Sequence, residues 1–126
     1  MALLGLGLDV CSVSRIKKIL EGPSGRRFRI RVFTAQEQAY CEVRTDKASA
    51  YAARFAAKEA LVKALGAPAG ITWLDMEVLP ARGGPPSFRL SGVAAEALAA
   101  RKGRAWLALT HDAGVAAATV VLEEAP

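Results

Sequence analysis

The chain has 126 residues, 52% hydrophobic and 23% charged, with 17 Lys and Arg against 12 Asp and Glu for a formal net charge of +5. That length suits one domain burying roughly two-thirds of its unfolded surface, and the apolar fraction excludes a disordered chain. No apolar run reaches the ~18 residues a membrane helix requires.

Leu3–Val10 is a short apolar run in which Gly5 and Gly7 alternate, the pattern of a buried strand whose backbone is closely approached. It lacks a basic leader and contains Asp9, so no secretory signal is expected. Ser12 or Ser14 caps a helix to about Leu20, with Val13, Ile16, Ile19 and Leu20 as its apolar stripe. Gly22-Pro23-Ser24-Gly25 ends it, and a short basic helix follows over about Arg26–Val32. Thr34-Ala35-Gln36-Glu37 is a capping box that starts a helix to about Glu42. The longest helical pattern runs over about Lys47–Leu65, and Gly66 with Pro68 stops it. The period then changes. Trp73–Leu79 and Ser87–Leu90 read as strands joined by Arg82-Gly83-Gly84-Pro85-Pro86. Ser91 caps a helix over about Gly92–Arg101, and Arg104–Thr110 and Val115–Glu123 are two further strands around His111-Asp112-Ala113-Gly114. The reading is one compact α+β domain over residues 1–126.

Cys11, Cys41 and His111 cannot supply a four-ligand zinc site without carboxylates. Both thiols are expected as small core hydrophobes in a reduced, cytoplasmic protein. Residues 15–31 hold seven cations (Arg15, Lys17, Lys18, Arg26, Arg27, Arg29, Arg31) and one anion, Glu21, a local net of +6. Such a stretch is either a docking surface for an anionic partner or a solvated helix face.

Asp9, at the end of its strand, is either a turn-forming residue or a metal ligand. Glu59 and Lys63 are either an ordinary i, i+4 ion pair or part of a site. Arg54 and Lys58 form a like-charge i, i+4 pair, a weak pointer to phosphate. Two carboxylates without a His/Cys cluster favour a hard cation such as Mg²⁺, which keeps several waters and bridges to phosphates. Nearby cations would meet the rest of a polyphosphate's charge. His111 is a structural hydrogen-bonder or a catalyst. No Walker loop, G-x-S-x-G elbow or H-E-x-x-H is present.

Four blocks in order carry a resemblance. They are Gly5-Leu6-Gly7-Leu8-Asp9-Val10 leading to Arg15-Ile16; Arg27-Phe28-Arg29-Ile30-Arg31-Val32-Phe33-Thr34 with Glu37; Arg54-Phe55-Ala56-Ala57-Lys58-Glu59-Ala60 with Lys63-Ala64-Leu65-Gly66; and Leu109-Thr110-His111-Asp112 with Ala116 and Ala118. Together they resemble the holo-[acyl-carrier-protein] synthase family, small bacterial 4′-phosphopantetheinyl transferases, over about Leu4–Glu123. The resemblance implies a long central helix packed on an antiparallel sheet. It also implies transfer of the phosphopantetheine arm of coenzyme A to a serine of an apo acyl carrier protein in fatty-acid or polyketide synthesis, releasing 3′,5′-ADP.

On that resemblance Asp9 and Glu59 hold Mg²⁺, and Lys63 stabilises the leaving phosphates. Asp9, Glu59 and Lys63 are then the catalytic set, with Glu59 or a metal-activated water as the base. Arg54 and His111 match positions at the 3′-phosphate and nucleotide end of coenzyme A. Lys58, Lys63, Gly66 and Thr110 fall in the same cofactor-binding blocks, and Gly84 and Pro86 in a turn near the adenine. The basic stretch acquires an acidic carrier protein as partner, with Arg15, Arg27, Phe28 and Arg31 docking it. The family implies a homotrimer with active sites between subunits, and no nucleic-acid or membrane partner. Departures are Ala108, where a serine is frequent, Val115, where an aromatic is frequent, and the break at Gly22–Gly25. The sequence admits two rival readings. A basic nucleic-acid module has only Phe28 and Phe33 beside its charge and no binding motif. A structural subunit would hold an acidic partner without chemistry.

Overall fold

Gly5 and Gly7 decide how closely the longest helix lies on the sheet. In the computed structural model, which describes residues 2–126, both belong to β1 (Leu3–Ser12), beneath α4 (Lys47–Ala64). A Cβ on Gly7 would overlap the Ala60 carbonyl, and one on Gly5 the Ala64 carbonyl. Ala52, Ala56, Ala57 and Ala60 are fully buried on the helix. Each methyl contributes only about 0.8 kcal/mol by burial, so close packing rather than large side chains seats the helix. The sequence reading of a closely approached strand is met.

The sheet is antiparallel in the order β1–β5–β4, with β4 at Gly103–Asp112 and β5 at Val115–Glu124. Val120 of central β5 pairs with Gly7 on one side and Leu107 on the other. Along β5, Ala116, Ala118, Val120 and Leu122 are buried while the alternate residues are not. β4 and β5 join through Ala113 (φ 53) and Gly114 (φ 78), a two-residue turn whose left-handed backbone matches strand twist. The sheet's other face is apolar and uncovered in the single chain: Leu6 is 69% exposed, Leu8 59%, Val10 60% and Trp106 47%.

Local signals set the other elements. α1 (Val13–Glu21) is capped by Ser12, whose Oγ accepts the Arg15 N–H at 3.3 Å. α2 is Gly25–Val32. α3 (Ala35–Glu42) begins with the expected capping box: the Glu37 N–H donates to Thr34 Oγ1 at 3.2 Å, and the Thr34 N–H to Glu37 Oε1 at 2.9 Å. One element differs. Trp73–Asp75 is a 3₁₀ turn, and β2 (Met76–Leu79) starts only after it to pair with β3 (Ser87–Leu90). Asp75 accepts the Thr72 N–H at 3.2 Å and donates its own N–H to the Thr72 carbonyl at 3.1 Å, closing the turn before pairing begins.

α5 (Gly92–Ala100) is followed by Arg101, whose guanidinium donates to the Ala64 and Leu65 carbonyls at 3.2 and 2.8 Å. These are carbonyls that the end of α4 leaves open. Cys11 and Cys41 are free and buried, as expected. The α+β architecture with a central helix on an antiparallel sheet is therefore present.

Candidate active site

Asp9 projects from β1 beside the second half of α4. Its Oδ1 accepts from Lys63 Nζ at 3.0 Å, and Lys63 also donates to the Leu8 carbonyl at 3.1 Å. Lys63 thus turns to the strand, and the i, i+4 pair with Glu59 does not form. Among the described residues, Glu59 has no side-chain hydrogen bond or ion pair, although it is half-buried. Desolvation raises its pKa above the ordinary carboxylate value, and the neighbouring Asp9 charge raises it further; Lys63 and Arg15 act the other way. A half-buried, unpartnered carboxylate facing a second one fits a divalent cation. No third His, Cys, Asp or Glu completes a metal cluster among the described residues. A bound ion would therefore take its remaining ligands from water and substrate oxygens, as Mg²⁺ does.

Arg54 and His111 also come together. They line a recess of about 320 Å³ with Tyr40, Arg44, Asp46 and Ser49. Arg54 is buried, its Cζ 4.0 Å from the Tyr40 ring centroid, and Arg44 lies at 3.8 Å from the same ring. One Arg54 Nη donates to the Ala50 carbonyl at 3.3 Å, while its buried Nε has no partner. A desolvated guanidinium with an unused donor calls for an anion. Tyr40 and Arg44 were not singled out by sequence; their only signal was i, i+4 spacing.

The remaining expected cofactor residues lie elsewhere in the single chain. Gly66 (φ 78) follows the far end of α4. Thr110 precedes His111 on β4 and so points to the opposite face of the sheet. Gly84 and Pro86 belong to the β2–β3 connection and do not line the recess.

Lys58 is a correction. It was expected among the phosphate cations, yet it is wholly buried. Its Nζ donates to the Val32 carbonyl at 2.6 Å, Glu37 Oε1 at 2.7 Å and the Trp73 carbonyl at 3.1 Å. Burial lowers its pKa and the Glu37 charge opposes that shift. A sequence signal existed: Lys58 continues the helical stripe of Tyr51, Leu61 and Leu65, all buried.

The basic stretch divides in two. Arg26, Arg27, Ile30 and Arg31 line a shallow groove of about 430 Å³ with Pro23. Arg29 is taken inward, its Nε donating to Glu42 at 2.8 Å and an Nη to the Leu20 carbonyl at 3.1 Å. Phe28 is half-buried, its ring 5.6 Å from Phe33 and 5.9 Å from Phe55. Arg15 is exposed on α1, close enough to influence the Glu59 carboxyl. No helix among the described residues is long and apolar enough to cross a membrane.

Comparison with known proteins gives the family of the chain. The family model described as "4'-phosphopantetheinyl transferase superfamily" matches residues 5–120. A holo-[acyl-carrier-protein] synthase of Myxococcus xanthus is 65% identical over 123 residues, covering 98% of this chain and 97% of that protein. One of Anaeromyxobacter dehalogenans is 58% identical, covering 96% of each. Among solved structures, the Helicobacter pylori holo-[acyl-carrier-protein] synthase in complex with coenzyme A is 30% identical with a TM-score of 0.79, covering 94% of this chain and 99% of that one. The Neisseria meningitidis enzyme superposes with a TM-score of 0.84 at 26% identity, covering 98% and 100%.

Proposed function

The chain belongs to the 4′-phosphopantetheinyl transferase superfamily, and on that premise we propose that it converts apo acyl carrier protein to the holo form. Coenzyme A is the donor. The carrier's serine oxygen bonds to the phosphorus that bears the pantetheine arm. The bond from that phosphorus to the bridging pyrophosphate oxygen breaks, and 3′,5′-ADP leaves. The serine proton passes to Glu59 or to water beside it.

The observation that carries this reading is the Asp9–Lys63 contact beside the unpartnered Glu59. Asp9 and Glu59 would hold Mg²⁺, which when bound would neutralise charge on the pyrophosphate. Lys63, half-exposed and bonded to Asp9, would exchange that bond for one to the leaving phosphate. The Arg54–His111 recess takes the 3′-phosphate; Gly84 and Pro86 near the adenine, and Gly66 and Thr110 along the cofactor, lie apart from that recess in the single chain and would meet the same cofactor only in an assembly of subunits. Arg15, Arg27, Arg31 and the exposed edge of Phe28 receive the acidic carrier.

Arg54 and Glu59 are five residues apart on one helix, about 140° round its axis. The uncovered apolar sheet face supports self-association, and a homotrimer places one subunit's carboxylates beside another's nucleotide recess. Light scattering tests this, and a monomer at working concentration would remove the shared site. Buried free thiols suit a reducing compartment, so the cytoplasm is the proposed location.

The deciding experiment is mass spectrometry of apo carrier protein incubated with the chain, coenzyme A and Mg²⁺. The carrier gains one phosphopantetheine arm; an unchanged mass overturns the reading.

A further inference from the structure

Lys58 precedes Glu59, and side chains of consecutive helical residues diverge by about 100°. Glu59 faces the β1 side, while Lys58 reaches into the junction of α2, α3 and the 3₁₀ turn. An ammonium has three donors and no acceptor, and here each is committed to a different segment. Val32 is the last residue of α2, so its carbonyl is one of those a helix end leaves open. Glu37 starts α3, and its second oxygen accepts the Val78 N–H of β2 at 2.9 Å. Thr34, whose N–H is held by the same Glu37, donates its hydroxyl to buried Glu77 at 2.7 Å.

The geometry points to Lys58 as a positioning residue that sets where α2 stands relative to the Asp9–Glu59 carboxylates. This rests on the transferase reading, in which α2 carries Arg27, Phe28 and Arg31 for the carrier protein. α2 packs on α1 and the 3₁₀ turn, and Lys58 is a direct side-chain tie from the last carbonyl of α2 to the helix bearing Glu59, beside the indirect link of Arg29 through Glu42 to Tyr51. Replacing a buried ion pair by apolar groups of similar volume is often neutral for stability. The direction of three hydrogen bonds is what an apolar substitute cannot supply. A carrier serine displaced by about 1 Å can lose as much as ~100-fold in reactivity.

The test uses the full chain with Lys58→Met and with the double variant Glu37→Gln/Lys58→Met, which leaves no lone buried carboxylate. Steady-state kinetics are measured separately in carrier protein and in coenzyme A, and hydrogen exchange is followed along the whole chain, with α2 (Gly25–Val32) compared with the rest. The expected result is a carrier kcat/KM lowered roughly tenfold or more, an unchanged coenzyme A KM and faster exchange confined to α2. An unchanged carrier kcat/KM, or a loss in both substrates together with exchange faster throughout, would overturn the proposal. So would failure of both variants to fold, which assigns Lys58 to stability alone. A wild-type chain that transfers no arm defeats the transferase reading first and this inference with it.

Discussion

Lys63 Nζ reaches across from α4 to Asp9 Oδ1 on β1 at 3.0 Å, leaving Glu59, one turn earlier on the same helix, without a partner. Lys63 is about half exposed and Asp9 mostly buried, so a solvated ammonium is held against a largely buried carboxylate. Its charge stands where the proposed Mg²⁺ would compete with it for Asp9.

Asp9→Asn and Glu59→Gln keep the shape of each side chain and remove its charge. Each is expected to lower transfer at saturating Mg²⁺ by about 100-fold or more, with melting temperatures still indicating a folded chain. Activity near wild type in either variant would remove that residue from the metal site.

Lys63→Met separates two roles of the lysine. Turnover is expected to fall about 10- to 100-fold as the leaving phosphates lose a cation. Without coenzyme A, Mg²⁺ should bind about two- to fivefold more tightly, because Asp9 loses a half-exposed counter-ion contributing up to ~1 kcal/mol. Calorimetric titration reads this directly, and weaker Mg²⁺ binding would show that the lysine does not compete.

Glu59 has its pKa raised by desolvation and by Asp9. From its ordinary value of 4.5 up to the raised native value, the folded chain holds more protons than the unfolded chain. Stability therefore falls as pH rises through that window, and the full penalty stands above it. Metal-free Glu59→Gln is expected to melt above wild type at pH 7 and together with it near pH 4. An equal gap at both pH values would mean that the carboxylate's ionisation is not the source.

Glu42 shifts the other way, from 4.5 to about 2. The Tyr51 hydroxyl is the largest cause, with Arg29 and Lys47 assisting and burial opposing. Its contribution is present above 4.5 and is lost as pH falls towards about 2. The side chain is 37% exposed, so Glu42→Gln should cost only about 1 kcal/mol at neutral pH. Urea unfolding should show that difference shrinking on acidification; a constant difference would point to packing instead.

Gly7→Ala places a methyl against the Ala60 carbonyl, a backbone atom that cannot turn aside. The expected loss is about 3 kcal/mol, with activity falling as α4 and Glu59 are pushed from β1. Gly84→Ala meets nothing within 4 Å and should leave chemical stability unchanged. Equal stability of the two variants would show that α4 yields without strain.

The sequence alone determined what depends on neighbours along the chain. Strand alternation, the Thr34–Glu37 capping box, the Gly66 stop and the Gly5/Gly7 contact surface were all legible, because caps and periodicity act within a few residues. Trp73–Asp75 escaped that reading because its apolar residues suit a strand, while the Asp75–Thr72 bonds close a turn. Residue type also pointed to Asp9 and Glu59 as a pair through resemblance, though not to which partner each would have. Tertiary structure alone decided that Lys63 turns to Asp9, that Arg54 and Arg44 share the Tyr40 ring, and that Lys58 is sealed between Val32, Glu37 and Trp73. Those partners lie many residues apart, and a lysine's letter is the same in water and in the core. Only the surrounding fold, by removing water and fixing three acceptors, turned an expected phosphate cation into an internal brace.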